Sequence, residues 1–272
     1  MAIELNALTN HPVIGISHTG HLYDDSEQIK AWEPVNVVDQ VEHKVKFIEK
    51  HLFNDPDLNN NYSEQDTELV LIGHSIGCYV ILETLTALNK RIKCQVKKSI
   101  LLFPTIERMS ETPNGKFLTF ATKFFRWFIY LVAYLSAMLP KSIHDPLVNV
   151  LFTKRHSDKD MVDNAHGVVL GMSKTFSCVR SCFHMGHDEM KNVKKLNRSA
   201  VEANLGELVF YYGKTDKWCP IDYYHDMKTY VGSLDKHNPD HLVLDSHGLE
   251  HAFVLYKKQC SIISNMIKKW IE

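Results

Sequence analysis

The chain has 272 residues, 44% hydrophobic and 23% charged, enough for one large α/β domain or two small ones, which excludes a disordered tail, a collagen-like repeat and a small disulfide scaffold. Lysine and arginine number 31 against 32 aspartates and glutamates, a formal charge of −1, so nothing in the overall balance argues for a nucleic-acid binder. Six cysteines and an N-terminus, MAIELNALTN, with neither a basic nor an apolar leader region favour a reducing compartment, in which the sequons at Asn61 and Asn197 are chance matches.

In chain order, Glu4 to Leu8 reads as the tail of a helix and Val13 to Ser17 as a short buried strand. Val38, Val41, Val45, Ile48 and Leu52 recur at helical spacing and predict an amphipathic helix. The polar run from Asn54 to Gln65 is a loop. Leu69 to Ile72 reads as a strand, Cys78 to Leu88 as a helix and Ser99 to Phe103 as the next strand, so strands and crossover helices alternate as in a parallel sheet. From Pro104 to about Lys195 the strand pattern stops and a dense apolar stretch, Phe117 to Leu139, reads as a helical insertion. Strands resume at Leu208 to Tyr212 and Leu242 to Leu244, with a helix near Tyr223 to Val231 between them. A final helix of about 20 residues has Phe253, Tyr256, Ile263, Met266 and Ile267 as its expected apolar face. The expected organisation is a core of residues 1–103 and 201–272 interrupted by an insertion over 104–200.

Gly73-His74-Ser75-Ile76-Gly77 fits Gly-x-Ser-x-Gly where a strand must turn sharply into a helix, an elbow that exposes the serine hydroxyl. A serine hydroxyl needs a base to take its proton, and the base needs a carboxylate to hold its tautomer. In folds with this elbow the chain order is serine, acid, histidine. Asp216, just past the strand ending at Tyr212, is the preferred acid, with Asp245 its rival. His251, on the loop entering the last helix, is the preferred base over His247. His18, His21 and His74 come too early in the chain for that role.

Together Ile16-Ser17-His18-Thr19-Gly20-His21, the Gly73–Gly77 elbow, Phe103-Pro104-Thr105-Ile106-Glu107-Arg108-Met109-Ser110 running on to Pro113-Asn114-Gly115, Tyr211 to Pro220 and His251-Ala252-Phe253 resemble the lipid droplet-associated hydrolase family. The Phe103–Ser110 block is the most specific of these. The resemblance runs from about residue 5 to the C-terminus and is weakest over about 142 to 200. It implies an α/β-hydrolase fold, a mostly parallel sheet with helices on both faces and an apolar helical lid. It also implies attachment to lipid droplets and the cytosolic face of the endoplasmic reticulum, sterol esters as substrates, and a triad falling on Ser75, Asp216 and His251.

The family pattern carries an N-terminal Gly-Asn-Pro-Gly type loop, which this sequence lacks. In the α/β-hydrolase fold that region supplies the third strand and one oxyanion donor, the other being the N–H after the nucleophile, here Ile76. The expectation is a chain truncated before its first strands, with weakened catalysis. Val13–Ser17 would then pair directly with Leu69–Ile72 or stand apart from the sheet.

The apolar run from Trp127 to Leu139 is shorter than the roughly 20 residues of a spanning helix. Lys123, Arg126 and Lys141 at its ends and its tryptophan and tyrosines suit an interfacial or hairpin insertion, with Trp127, Phe128, Leu131 and Leu135 as expected lipid contacts. A buried lid helix over an acyl pocket is the alternative. Cys178, Cys182, His184 and His187 have no usual zinc spacing, Met138, Met161, Met172, Met185 and Met190 read as soft packing, and there is no phosphate loop, so neither a metal nor a cofactor is expected. The function that follows is a serine hydrolase of neutral-lipid esters, with a non-catalytic droplet-surface protein and an acyltransferase as rivals.

Overall fold

The computed structural model describes residues 1–21, 34–50, 68–91, 95–153, 159–234 and 241–272. Leu52 and the predicted loop over 54–65 lie outside them. Four strands, β1 (Glu68–His74), β2 (Gln95–Leu102), β3 (Leu208–Tyr212) and β4 (Leu242–Leu244), form one parallel sheet in the order β1-β2-β3-β4. All five residues of β3 are buried, and so are Ile100, Leu101 and Leu102 of β2. Such continuous apolar runs mark parallel strands covered on both faces.

The covering helices follow the predicted pattern. α1 (Ala2–Thr9) precedes α2 (Val37–Ile48), and α3 (Ile76–Arg91) leaves the end of β1 and contributes Ile81, Leu82 and Leu85 to the main core. Between β2 and β3 the chain is helical, through α4 (Pro113–Phe124), α5 (Arg126–Met138), α6 (Lys141–Thr153), α7 (Lys159–Lys174), α8 (Phe176–Asn192) and α9 (Arg198–Ala203). α10 (Ile221–Ser233) joins β3 to β4, and α11 (Lys257–Ile271) closes the chain, with Ile263 and Ile267 fully buried in the same core.

Four expectations are corrected. Val13–Ser17 is not a strand: it stands apart from the sheet with Val13 and Ile14 exposed, because a lone extended segment forms no ladder without a partner. On α2 the inward face is not purely apolar. Val38 points outward, while Val37, Gln40 and Lys44 are buried, because this helix holds the preceding Ser17–Thr19 segment with polar atoms. The Gln40 side chain accepts from Thr19 N–H and donates to Thr19 C=O, and Lys44 Nζ donates to Ser17 C=O at 2.8 Å. Phe253 sits in a short 3-10 turn before α11, and Tyr256 at that turn's end, rather than on the helix face. Met138, read as packing, is exposed, whereas Met161, Met185 and Met190 are buried.

Candidate active site

Three strand ends meet at the site. β1 runs out at His74, α3 begins at Ile76, and Ser75 between them takes φ 55, the left-handed conformation that a serine adopts only when its surroundings hold it. They do: Ser75 N–H donates to Leu102 C=O at 3.0 Å, and Cys78 N–H closes the turn onto Ser75 C=O. A Cβ on Gly73 would stand 2.8 Å from the backbone of Gly77, so only glycine fits there. Gly77 itself has open space, so the two motif glycines are not equivalent. As the first residue of α3, Ile76 has no intrahelical acceptor for its N–H.

His251 joins the two other expected residues. Its Nε2 lies 2.9 Å from Ser75 Oγ and its Nδ1 lies 2.6 Å from Asp216 Oδ2. A carboxylate only accepts, so Nδ1 carries the proton and Nε2 accepts from the serine hydroxyl. The Asp216 carboxyl is 1% exposed. Burial alone would raise its pKa, but the imidazole of His251, the Cys219 thiol and the Trp218 N–H outweigh that and hold it below the usual value. The rival acid has a different task. Asp245 accepts from Tyr211 OH and from the N–H groups of His247 and Leu249, which pins the turn leading to His251. The rival base, His247, is exposed.

Two residues that sequence reasoning passed over support this arrangement. His74, set aside as too early in the chain, donates its Nε2–H to His251 C=O at 2.7 Å and packs edge-on against Phe253. Its place beside Ser75 in the elbow was the available signal. Phe103, at φ 51 just past β2, lies under the His251 ring: its own ring stacks on Phe253 and meets His251 at 5.7 Å. The glycine of Tyr212-Gly213 makes room for it, since a Cβ there would stand 2.6 Å from the Phe103 ring.

Burial lowers the His74 pKa to about 4, so the ring is neutral at pH 7. A histidine depressed in the folded state contributes stability that is complete above its ordinary value of 6.5 and is lost as pH falls towards 4. Denaturant unfolding should therefore show His74→Gln, whose amide keeps a donor without titrating, losing less stability between pH 7 and pH 5 than the native chain. Equal losses would mean that His74 is not buried neutral.

The Phe103–Ser110 block and its extension form the platform between β2 and α4. Arg108 pairs with Glu107 and Asp226, lies over the Tyr223 ring at 3.9 Å and thereby ties the block to α10. Met109 N–H donates to Val193 C=O, and Thr112 caps α4 by accepting from Gly115 N–H at 2.9 Å. A Cβ on Gly115 would stand 1.7 Å from Met109 O. Gly115→Ala is thus expected to cost about 1–3 kcal/mol, as overpacking does, measured by denaturant unfolding; an unchanged midpoint would show that the platform gives way freely.

The Cys178–His187 cluster lies along α8 with its histidines engaged elsewhere: His184 bonds Asn36 and His187 lies 3.3 Å from Thr122 Oγ1. Among the described residues, the group of three potential metal-ligand atoms within 4.8 Å of one another is Asp216, Cys219 and His251, and these atoms are already hydrogen-bonded among themselves.

The expected lipid contacts face solvent. Trp127 is 76% exposed, Phe128 63%, and Leu131 and Leu135 53% each. Phe117 and Phe124 of α4, within the expected apolar stretch, and Ile143 of α6, beyond it, are exposed as well. No single helix among the described residues is long and apolar enough to cross a membrane; α4 and α5 meet the length and composition only together, bent by 81°.

A parallel sheet with a serine at a left-handed strand-to-helix elbow, and a histidine bridging it to a buried aspartate, defines an α/β-hydrolase. The fold is shared with an esterase from Exiguobacterium antarcticum at a TM-score of 0.53 and 11% sequence identity, covering 99% of this chain and 87% of that one. The lipid-droplet associated hydrolase family model matches residues 2–254. Lipid droplet-associated hydrolases of Gallus gallus and Homo sapiens are 33% and 34% identical over 95% of this chain and 75% of their own lengths, and that of Drosophila melanogaster is 34% identical over 95% and 80%. The chain belongs to the lipid droplet-associated hydrolase family.

Proposed function

We propose that the protein is a serine hydrolase of neutral-lipid esters, sterol esters foremost, working on the surface of lipid droplets and the cytosolic face of the endoplasmic reticulum. The observation that carries this reading is His251 placed within hydrogen-bond reach of both Ser75 and Asp216. Ser75 Oγ attacks the ester carbonyl carbon as its proton passes to His251 Nε2, and Asp216 stabilises the imidazolium that forms. The carbonyl oxygen, now negative, takes the Ile76 N–H. Collapse breaks the ester C–O bond, His251 returns the proton to the departing alcohol oxygen, and the acyl group remains on Ser75. Water, deprotonated by the same histidine, then attacks that acyl group; the acyl C–Oγ bond breaks, His251 returns the proton to Ser75 Oγ, and the acid is released. The insertion over 104–200 serves as lid and lipid contact on a core made of 1–103 and 201–272.

The test is release of fatty acid from an emulsified sterol ester by the purified protein and by Ser75→Ala. Activity in the native chain and none in the variant is expected; equal rates would remove Ser75 from the chemistry.

A second reading, a droplet-surface protein that acts by binding, is favoured by the breadth of the exposed apolar surface on α4, α5 and α6. The readings separate in cells: rescue of a droplet phenotype by Ser75→Ala favours binding, and failure to rescue favours catalysis.

A further inference from the structure

Asp216 accepts three hydrogen bonds, and the least expected comes from a thiol. Trp218 N–H donates to Oδ1 at 2.7 Å, while Oδ2 is shared by His251 Nδ1–H at 2.6 Å and Cys219 Sγ–H at 2.9 Å. Cys219 is fully buried, at the point where the Asp216 loop turns through Pro220 into α10. Burial first, and the neighbouring Asp216 carboxylate second, push this thiol well above its usual pKa, so it stays protonated and keeps donating.

We propose that Cys219 is a positioning residue for the acid: its S–H fixes the rotation of the Asp216 carboxylate and takes up part of the charge on Oδ2, setting how strongly Asp216 holds His251. The inference rests on the serine hydrolase reading for its rate effects, and on the hydrogen-bond geometry alone for the rest. Without the thiol, Oδ2 would have His251 as its single partner in a buried place. The carboxylate would be free to turn, and more of its charge would fall on the imidazole. Three other ionisable groups around this pair, His74, Cys78 and Tyr212, do not titrate near neutral pH. His74, its ring 5.2 Å from that of His251, is lowered to about 4 by burial, and Cys78 of α3 and Tyr212 of β3 are raised well above their usual values by burial.

Two variants separate this role from packing. Cys219→Ala removes the donor, and Cys219→Ser keeps one in nearly the same volume. The second-order rate of labelling by a fluorophosphonate, followed from pH 5 to 9, reads the base in the free enzyme. Cys219→Ala is expected to label roughly 10- to 100-fold more slowly, the range that a displaced catalytic group produces. Its acid limb should move to higher pH, because a more negative Oδ2 favours the imidazolium. Cys219→Ser should keep both near the native values. Native labelling speed in Cys219→Ala, or equal losses in both variants with the limb unmoved, would overturn the proposal. If the native protein does not label at all, or labels as fast after His251→Ala, the hydrolase reading fails instead. The proton NMR signal of His251 Nδ1–H then still decides: it should move downfield in Cys219→Ala and stay in Cys219→Ser, and an unmoved signal in the alanine variant overturns the proposal whatever the activity.

Discussion

His251→Ala is expected to lower ester turnover about ten-thousandfold, the scale of loss when a triad's base or its orientation is removed, while His247→Ala keeps most of the native rate. Position explains the contrast. His251 Nε2 stands 2.9 Å from Ser75 Oγ, its Nδ1 is held by Asp216, and its backbone carbonyl is held by His74. The His247 side chain is exposed; its contribution is a backbone N–H donated to Asp245, which alanine retains. Paired kinetics of the two variants on one soluble ester checks this. The opposite ranking would move the base to His247 and require the 245–251 turn to rearrange on substrate binding.

The second large effect concerns the lipid surface rather than the chemistry. Each large apolar side chain moved from water into lipid contributes about 1.5–3 kcal/mol, so Phe128 and Leu131 together contribute roughly 3–6 kcal/mol, or more than a hundredfold in partitioning. Both are more than half exposed on α5, so replacing them by aspartate leaves the core packing intact. Phe128→Asp/Leu131→Asp should abolish binding to droplets or phospholipid-coated emulsions while leaving hydrolysis of a soluble ester near the native rate. Flotation of the variant with the lipid fraction, as the native protein floats, would place the contact elsewhere.

The parts of the fold legible in the sequence were those whose pattern depends on burial alone. β2 and β3 are buried on both faces and read as short apolar runs, and α3 and α11 show their inward residues at helical spacing. That Ser75, Asp216 and His251 stand together was legible because an elbow, a loop after a strand and a loop before a helix each leave a local signature. What escaped depends on partners remote in the chain. Val13–Ser17 has the composition of a strand, but among the described residues no strand pairs with it. Gln40 and Lys44 break the apolar face of α2 because they hold a segment some 21 to 27 residues away. His74 stands beside Ser75 and Cys219 three residues after Asp216, but nothing local announces that the one bonds the His251 carbonyl and the other the acid's second oxygen. The apolar stretch Phe117 to Leu139 was recognised across α4 and α5, but the 81° bend between them and the exposed apolar residues of α6 are not specified by composition.

The nucleophile itself can be located chemically. Purified protein treated with a fluorophosphonate and digested for peptide mass spectrometry should carry one adduct, on Ser75 within the Gly73–Gly77 elbow, and Ser75→Ala and His251→Ala should carry none. An adduct on another serine, or labelling of the native chain no faster than that of the two variants, would contradict a catalytic Ser75.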